Sequence, residues 1–501
     1  VSEHGPDLDL ALPAEDAVRL ARLPALAALR RGRARVTAVE LIWHDTPEGV
    51  LADAGVALCA CRRGRERVWR LERLHADPIG VAPAVLGEGD TPDAAFAAVG
   101  RALPAPLLPV AACQGRLRSL PLGGEGEVAT LEILEGQLRA VADEHPVCRV
   151  RIGGAPASAA ALALMLAEKL PVAPASATLA GQALTMAGRS VPPPPLGAPE
   201  LSAGQSVSVA FAHVLGHLTG VLLHFAPAAA AGETAEPVHQ MRVALRRLRS
   251  AIALFKRATD CPSLQEAKAG LKALTRRLGP ARDWDVFLAG TGAAVAAAFP
   301  EDKAVARLLA SATRQRAESY AALRSFLHGP DFRTGMVRLV CLAADRPWER
   351  AEPAPDGATE EAAERQAAAL AEPLAAFAAR ALDRRLTRLL KPGEDLAALP
   401  PEELHALRIE GKRLRYAAEF FAPLYSARQA KRFIRRVSAL QDQLGAFNDG
   451  RQAAALLAAL DGERSYAGGV VRGFVAAGRG DMRARVERAW RKFRRLEAFW
   501  A

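Results

Sequence analysis

The chain repeats itself at a distance of 166 residues, and this repeat limits its fold more than any other feature. Set over one another, VHQMRVALRRLRSAIALF (Val238 to Phe255) and LHALRIEGKRLRYAAEFF (Leu404 to Phe421) match His239 with His405, Arg242 with Arg408 and Arg246 with Lys412. They also match Arg247 with Arg413, Arg249 with Arg415 and Phe255 with Phe421. The same offset, without a gap, pairs LTRRLGPARD (Leu274 to Asp283) with LQDQLGAFND (Leu440 to Asp449). Two matches in one register indicate a duplicated helical unit. The LG step in each copy reads as a helix junction, with Asp283 and Asp449 as helix N-caps or as salt-bridge partners of nearby arginines rather than metal ligands.

At about 100° per residue, His239, Arg242, Arg246 and Arg249 fall within roughly one quarter of a helix circumference. Met241, Leu245, Leu248, Ile252 and Phe255 take a neighbouring face and supply the packing surface. The second copy repeats the division, with His405, Arg408, Lys412 and Arg415 basic and Leu407, Leu414 and Phe421 apolar. An ordinary solvated face intersperses acids at i,i+4, and the first stripe has none. Cations so close repel one another unless an anion sits among them. Each histidine follows a proline, Pro237 or Pro401, at a first-turn position, where it can donate to a phosphate oxygen. Neither has a second ligand at metal spacing, so no metal site is expected.

The basic excess is confined to one part of the chain. Residues 1–190 carry a net charge of −2 and residues 191–501 a net of +13, so a polyanion partner belongs to the C-terminal part. SVPPPPLGAP (Ser190 to Pro199) can form neither helix nor paired strand and marks a linker. Before it, ARVTAVELIWHDT and VATLEILEG read as strands and ASAAALALMLAEKL as a helix; after it nearly everything reads as helix. A second break is expected over Pro347 to Glu364. The six cysteines are scattered and read as reduced core thiols. No uninterrupted apolar run nears the roughly 18 residues of a membrane span, and VSEHGPDLDLAL lacks a leader pattern, so a cytoplasmic protein is expected.

The two matched segments, each followed by LG…D, resemble the signature segments of CHAD domains, the conserved-histidine α-helical domains, over about Gln205 to Ala501. The resemblance implies a pseudosymmetric bundle whose basic groove binds inorganic polyphosphate. Carried over by position, the ligands are His239, Arg242, Arg246, Arg247, Arg249, His405, Arg408, Lys412, Arg413 and Arg415. Lys272, Arg276, Arg432, Arg435 and Arg436 are additional candidates that do not align between the copies.

HDTPEGVLADAGVALCACRR (His44 to Arg63) resembles a segment of the CYTH family, the triphosphate tunnel enzymes often fused ahead of CHAD domains. That resemblance implies an eight-stranded antiparallel tunnel in which acids hold divalent metal and basic residues grip a triphosphate. The motifs are eroded. ExExK stands as DLDLA, keeping Asp7 and Asp9 but with Ala11 for lysine, and an arginine pair is replaced by Cys59 and Cys61. ELELKxG stands as TLEILEG, keeping Glu132 with Thr130 and Leu134, and SKAxRGY as SATLAGQ, with Ala177 and Ala180 for the basic residues. Arg62, Arg63, Arg65 and Arg67 read as surface arginines of a turn. A tunnel without its cations cannot neutralise a triphosphate, so no catalytic residues, no cofactor and no resident metal are expected; divalent metal enters only with residual tunnel activity.

The expected architecture is multidomain α+β. A degenerate CYTH-like antiparallel β tunnel or barrel with helices spans 1–189, a Pro-rich linker 190–204, and an all-α CHAD bundle with an internal two-fold repeat 205–501, its halves near 205–346 and 367–501. The expected function is polyphosphate binding at polyphosphate granules, with granule-associated proteins as further partners and no membrane contact. The alternatives are a metal-dependent inorganic triphosphatase and, less favoured, a nucleic-acid binder. The basic helices lack interleaved aromatics for base stacking, and no helix-turn-helix or zinc pattern accompanies them.

Overall fold

The computed structural model describes residues 7–500 except 98, 101, 124–127, 142, 351–359, 392–395, 397–398, 461–464 and 478–481. Its N-terminal part is one antiparallel sheet of nine strands: β1 (Leu8–Leu12), β2 (Arg35–Asp45), β3 (Val56–Arg63), β4 (Glu66–Arg73), β5 (Val85–Gly89), β6 (Leu108–Gly123), β7 (Val128–Ala140), β8 (Asp143–Gly154) and β9 (Ala173–Pro174). The order is β5-β4-β3-β2-β6-β7-β8-β1-β9. Eight strands were expected; the ninth is the two-residue β9 on the outer edge of β1.

Directly paired residues share a face of the sheet. Arg35, Ser119, Glu132, Arg151 and Asp9 form one such line across β2, β6, β7, β8 and β1. On the same face, Trp43 pairs with Cys59 and Cys59 with Arg70, two residues from Glu72. Glu72 is remote from β1 and β8 in strand order, yet it senses the charges of Arg151 and Asp9. This face is therefore the concave inside of a curled sheet. The Asp9 N–H donates to the Gly80 carbonyl at 2.8 Å and the Ala82 N–H to the Asp7 carbonyl at 2.8 Å, drawing the β4–β5 connection onto the edge of β1.

Six short helices decorate the sheet: α1 (Ala17–Ala21), α2 (Pro24–Leu29), α3 (Val50–Asp53), α4 (Pro92–Ala97), α5 (Pro156–Lys169) and α6 (Leu179–Met186). α5 covers the outer face through Leu162, Ala163 and Leu166, packed with Leu10, Ile133 and Val150. α6 lies on the inner face instead. Its Ala180, Ala183 and Leu184 cluster with Trp43, Cys59, Cys113 and Leu138. The N-cap Thr178 holds it there, accepting from the Gly181 N–H at 3.0 Å and donating to the Leu74 carbonyl at 2.8 Å.

The C-terminal part is helical: α7 (Val207–Ala231), α8 (Glu236–Thr259), α9 (Pro262–Phe287), α10 (Ala293–Ala298), α11 (Lys303–His328), α12 (Pro330–Asp345), α13 (Glu360–Ala371), α14 (Leu374–Leu390), α15 (Pro401–Phe421), α16 (Ala427–Ala459), α17 (Tyr466–Ala477) and α18 (Met482–Arg494). The offset of 166 matches α7 with α14, α8 with α15 and α9 with α16. The repeat closes on itself in the core. The Phe255 ring centroid lies 5.2 Å from that of Phe211, 5.0 Å from Phe377 and 6.2 Å from Phe421. Phe211 and Phe377 are themselves one repeat apart, as are Phe255 and Phe421. Aromatic pairs of this kind each add about 0.5–1.5 kcal/mol beyond simple burial.

Three expectations are corrected. The LG steps are not junctions: α9 runs unbroken through Leu278, Gly279 and Pro280, and α16 through Leu444 and Gly445. Asp283 is accordingly no N-cap. The break expected over 347–364 is helical at both ends, with a short 3-10 turn at Pro347–Glu349 and α13 opening at Glu360; residues 351–359 lie outside the described residues. Finally, α7 is long and apolar enough to cross a membrane, with a mean hydropathy of 1.5 in its most apolar window. Of that window 67% is buried, and α7 serves as a core helix of the bundle. All six cysteines are free and buried, as expected.

The two parts share apolar packing. Val337, Val340 and Cys341 of α12 join the cluster under the sheet, and a Cβ on Gly80 would stand 2.9 Å from Val340, so close approach there requires glycine. The linker is tied down as well: His75 Nε2 bonds the Pro192 carbonyl at 2.5 Å and His217 Nε2 the Gly197 carbonyl at 3.0 Å.

Candidate functional site

Pro237 and Pro401 start their helices as expected, since a proline in the first turn forfeits only an amide that would have no partner. The apolar residues of α8 then fix its rotation. Met241, Leu248 and Phe255 are fully buried, which turns Arg242, Arg246 and Arg249 toward a cavity of about 360 Å³. Leu245, Ser250, Ala253 and Leu254 of α8, Thr275 of α9, Arg385 of α14, and Arg413 and Ala417 of α15 complete its lining. The second stripe faces the first at the Lys412 ammonium, which is pushed down to about 8 by burial and by Arg408, Arg246, Arg415 and Arg242. Burial and the neighbouring Asp283, Arg246 and Arg282 likewise set Arg242, whose guanidinium is held below its ordinary value.

The halves also repeat in their hydrogen bonds. Arg249 Nη1 donates to Thr275 Oγ1 at 3.3 Å, and one repeat later Arg415 Nε donates to Gln441 Oε1 at 2.9 Å. Arg242 reaches Asp283 at 3.7 Å, bearing out the salt-bridge reading of that aspartate. The side chain of Asp449 lies outside the described residues.

The basic residues do not all stand alike. Glu419 accepts from Arg415 at 2.7 Å and from Arg247 at 3.4 Å; Glu410 pairs with Arg413 and, at 3.9 Å, with Arg385. Both acids lie in the second copy. Arg246 and Arg415 flank the Tyr416 ring, 5.6 and 4.8 Å from its centroid. His239 is half-buried beside Arg282, Arg242 and Arg246, and burial followed by Arg282 depresses its imidazole. His405 is exposed at the start of α15. Lys272 and Arg276 are exposed on the face of α9 that carries Thr275 and Asp283. Arg432, Arg435 and Arg436 lie about 120–180° around α16 from Gln441, off the face that meets α15.

Sequence reasoning missed Arg282 and Arg385. Arg385 belongs to DRRLTRLL, a visible basic run, but it has no basic counterpart in α7, and a search for residues matched between copies passes over it.

Inside the sheet the arginines are more numerous than the eroded motifs implied. Arg35, Arg63, Arg70, Arg149 and Arg151 share the inner face. The RVR of VCRVRIGG had the period-2 signature that puts two arginines on one face. Arg63 is thus not a surface arginine; it turns inward to Glu132 at 3.9 Å. Arg62 pairs outside with Glu40 at 3.8 Å, and Arg67 sits over the Trp69 ring at 5.6 Å. Arg149 is buried against Asp9 at 3.8 Å and donates to the Ala177 carbonyl at 2.5 Å. Burial pushes the Glu72 carboxyl up, while Arg151 and Arg70 pull it back. Asp9 and Glu132 are each turned to an arginine, and among the described residues no three His, Cys, Asp or Glu converge as ligands.

The C-terminal site defines a class: a duplicated helical bundle whose two copies turn cations toward one cavity. Residues 212–458 match the CHAD domain family, and this part of the chain is a CHAD domain. Among solved structures, the CHAD domain from the plant Ricinus communis is 29% identical and covers 62% of this chain and 99% of that chain, with a TM-score of 0.48. PptA from Streptomyces chartreusis is 17% identical, covering 58% of this chain and 99% of that one at a TM-score of 0.33. A putative adenylyl cyclase from Hippeastrum, described as having a dominant triphosphatase activity, is 17% identical and covers 38% and 98% at 0.27. No curated protein matches the chain.

Proposed function

We propose that this protein binds inorganic polyphosphate in a basic groove between α8 and α15 and does not hydrolyse it. The observation that carries this reading is the cavity into which Arg242, Arg246 and Arg249 of α8 converge with Arg385 and Arg413, with the Lys412 ammonium lowered to about 8 by burial and by Arg408, Arg246, Arg415 and Arg242. Such a cluster is electrostatically unfavourable when empty and is relieved by an anion that threads it. A flexible chain of phosphates offers one charge per unit and suits a linear stripe. Nucleic acid suits it less, because the aromatic at the groove, Tyr416, is only 4% exposed beneath its arginines and cannot stack a base. No cofactor or metal takes part in this reading, and polyphosphate granules with their associated proteins are the proposed setting.

The N-terminal sheet serves as scaffold or protein contact. Two of its lost cations, at Cys59 and Ala180, fall in one apolar cluster with Trp43, Ala183 and Leu184, so the inner face is packed shut where α6 lies. A second reading, a metal-dependent triphosphatase, draws on the five inner arginines and on Asp9 and Glu72. Release of phosphate from tripolyphosphate with Mg²⁺ would establish it. The test of the leading reading is competition of labelled long-chain polyphosphate against DNA and RNA at about 150 mM salt, where exposed charges act over about 8 Å. Equal competition by DNA at matched charge would refute selective polyphosphate recognition.

A further inference from the structure

The repeat is faithful in its core and unfaithful on one helix face. In α7, Val214, Leu218 and Leu222 are buried, and α11 and α12 pack on that helix. One repeat later the same positions of α14 are Arg380, Arg384 and Arg388, all exposed. Arg380 is held by both oxygens of Glu372. Arg384 instead faces Arg257, Arg380 and Arg388, and burial followed by these cations lowers its guanidinium. Glu372 acts on it in the other direction, and that carboxylate already holds Arg380.

Arg257 connects this cluster to the groove. It lies on the stripe face of α8, at about 60° from Arg242, beyond the small side chains of Ser250 and Ala253 that floor the cavity. Arg385, adjacent to Arg384 in sequence, lines the cavity from α14. The positive track along α8 is therefore about 15 Å long from His239 to Arg249 and about 27 Å long when carried on to Arg257.

We propose that the groove has an outboard extension, formed by Arg257, Arg384 and Arg388, that takes the run-out of a polyphosphate chain too long for the cavity and so favours long chains. This rests on the polyphosphate reading and adds a chain-length determinant to it. A short chain fills the stripe from His239 to Arg249 and never reaches α14. A longer one leaves the cavity past Ala253 and meets an arginine cluster otherwise in mutual repulsion.

The experiment uses the full chain and size-fractionated polyphosphate, one fraction with a contour near 15 Å and one several times longer. The variant is Arg257→Gln, Arg384→Gln, Arg388→Gln; all three side chains are exposed, and circular dichroism confirms that it folds. A control replaces Lys303, Arg307 and Arg314, exposed on α11, by glutamine, for the same change in net charge. The expected result is a loss of about 10–100-fold for the long fraction, a salt slope smaller by about 2–3, and no change for the short fraction. No loss for long chains, equal loss for both fractions, or equal loss in the α11 control overturns the extension. Failure of the wild type to bind either fraction would instead sink the proposed function.

Discussion

The inner face of the sheet and the α8–α15 groove each gather about five arginines, yet they are opposite electrostatic environments. In the sheet, strand pairing and the curl of the strands set an acid within reach of a base, as with Asp9 and Arg149 on neighbouring strands or Glu132 and Arg63 across the curl. In the groove, Asp283 offsets Arg242 while Glu410 and Glu419 offset Arg413 and Arg415, which compensates only part of the charge. The number of arginines thus says little about anion binding; what matters is the charge left after neighbours are counted. A self-neutralised interior holds a fold together, whereas a stripe compensated only in part keeps its attraction for a ligand.

The largest break in this comparison should come from reversing charge at matched positions. Arg242→Glu with Arg408→Glu is expected to weaken polyphosphate binding about 1000-fold at near-physiological salt, since charge-assisted contacts are the strong ones. Calorimetric titration reads it, and unchanged affinity in a folded variant would show that the groove is misassigned. In the sheet the matching change acts on stability. Asp9→Asn leaves the Arg149 guanidinium buried without its counter-charge, at a cost of about 3 kcal/mol in denaturant unfolding, while polyphosphate affinity stays constant. A loss of affinity instead would mean that the sheet takes part in binding.

A smaller effect separates the regions by pH. A bound polyanion raises the Lys412 ammonium from about 8, so binding takes up a proton. Affinity should be full below pH 8 and fall about tenfold as pH rises through it, and Lys412→Arg should flatten the profile. The empty protein should follow the opposite trend in thermal unfolding: between pH 8 and 10.5 the unfolded lysine holds its proton longer than the folded one, so stability is expected to rise. The smallest change expected is a gain. Glu419→Gln releases Arg247 and Arg415 and should tighten binding about threefold, as measured by fluorescence competition; weaker binding would assign Glu419 a structural role in the groove.

Much of the bundle was legible because its signals are local. Periodicity placed α8 and α15, first-turn prolines marked their starts, and the repeat paired their stripes. The LG steps misled because glycine and proline are read as stops. At Gly279 and Pro280 tertiary packing carries α9 onward through both residues. In the sheet, the motif positions of DLDLA and SATLAGQ showed which cations were lost, but Arg149 and Arg151 lay outside those motifs.

By itself the sequence determined the division into a neutral β part and a basic helical part, the duplication, and which residues of α8 face inward, because hydrophobic period and charge are properties of neighbours along the chain. Only the tertiary structure decided which arginines keep their charge available. Glu419 lies 172 residues from Arg247, Glu72 meets Arg151 across a curled sheet, and Arg385 enters the cavity from a helix with no basic twin. Coulomb energy depends on distance in space and on burial, and neither can be read from spacing along the chain.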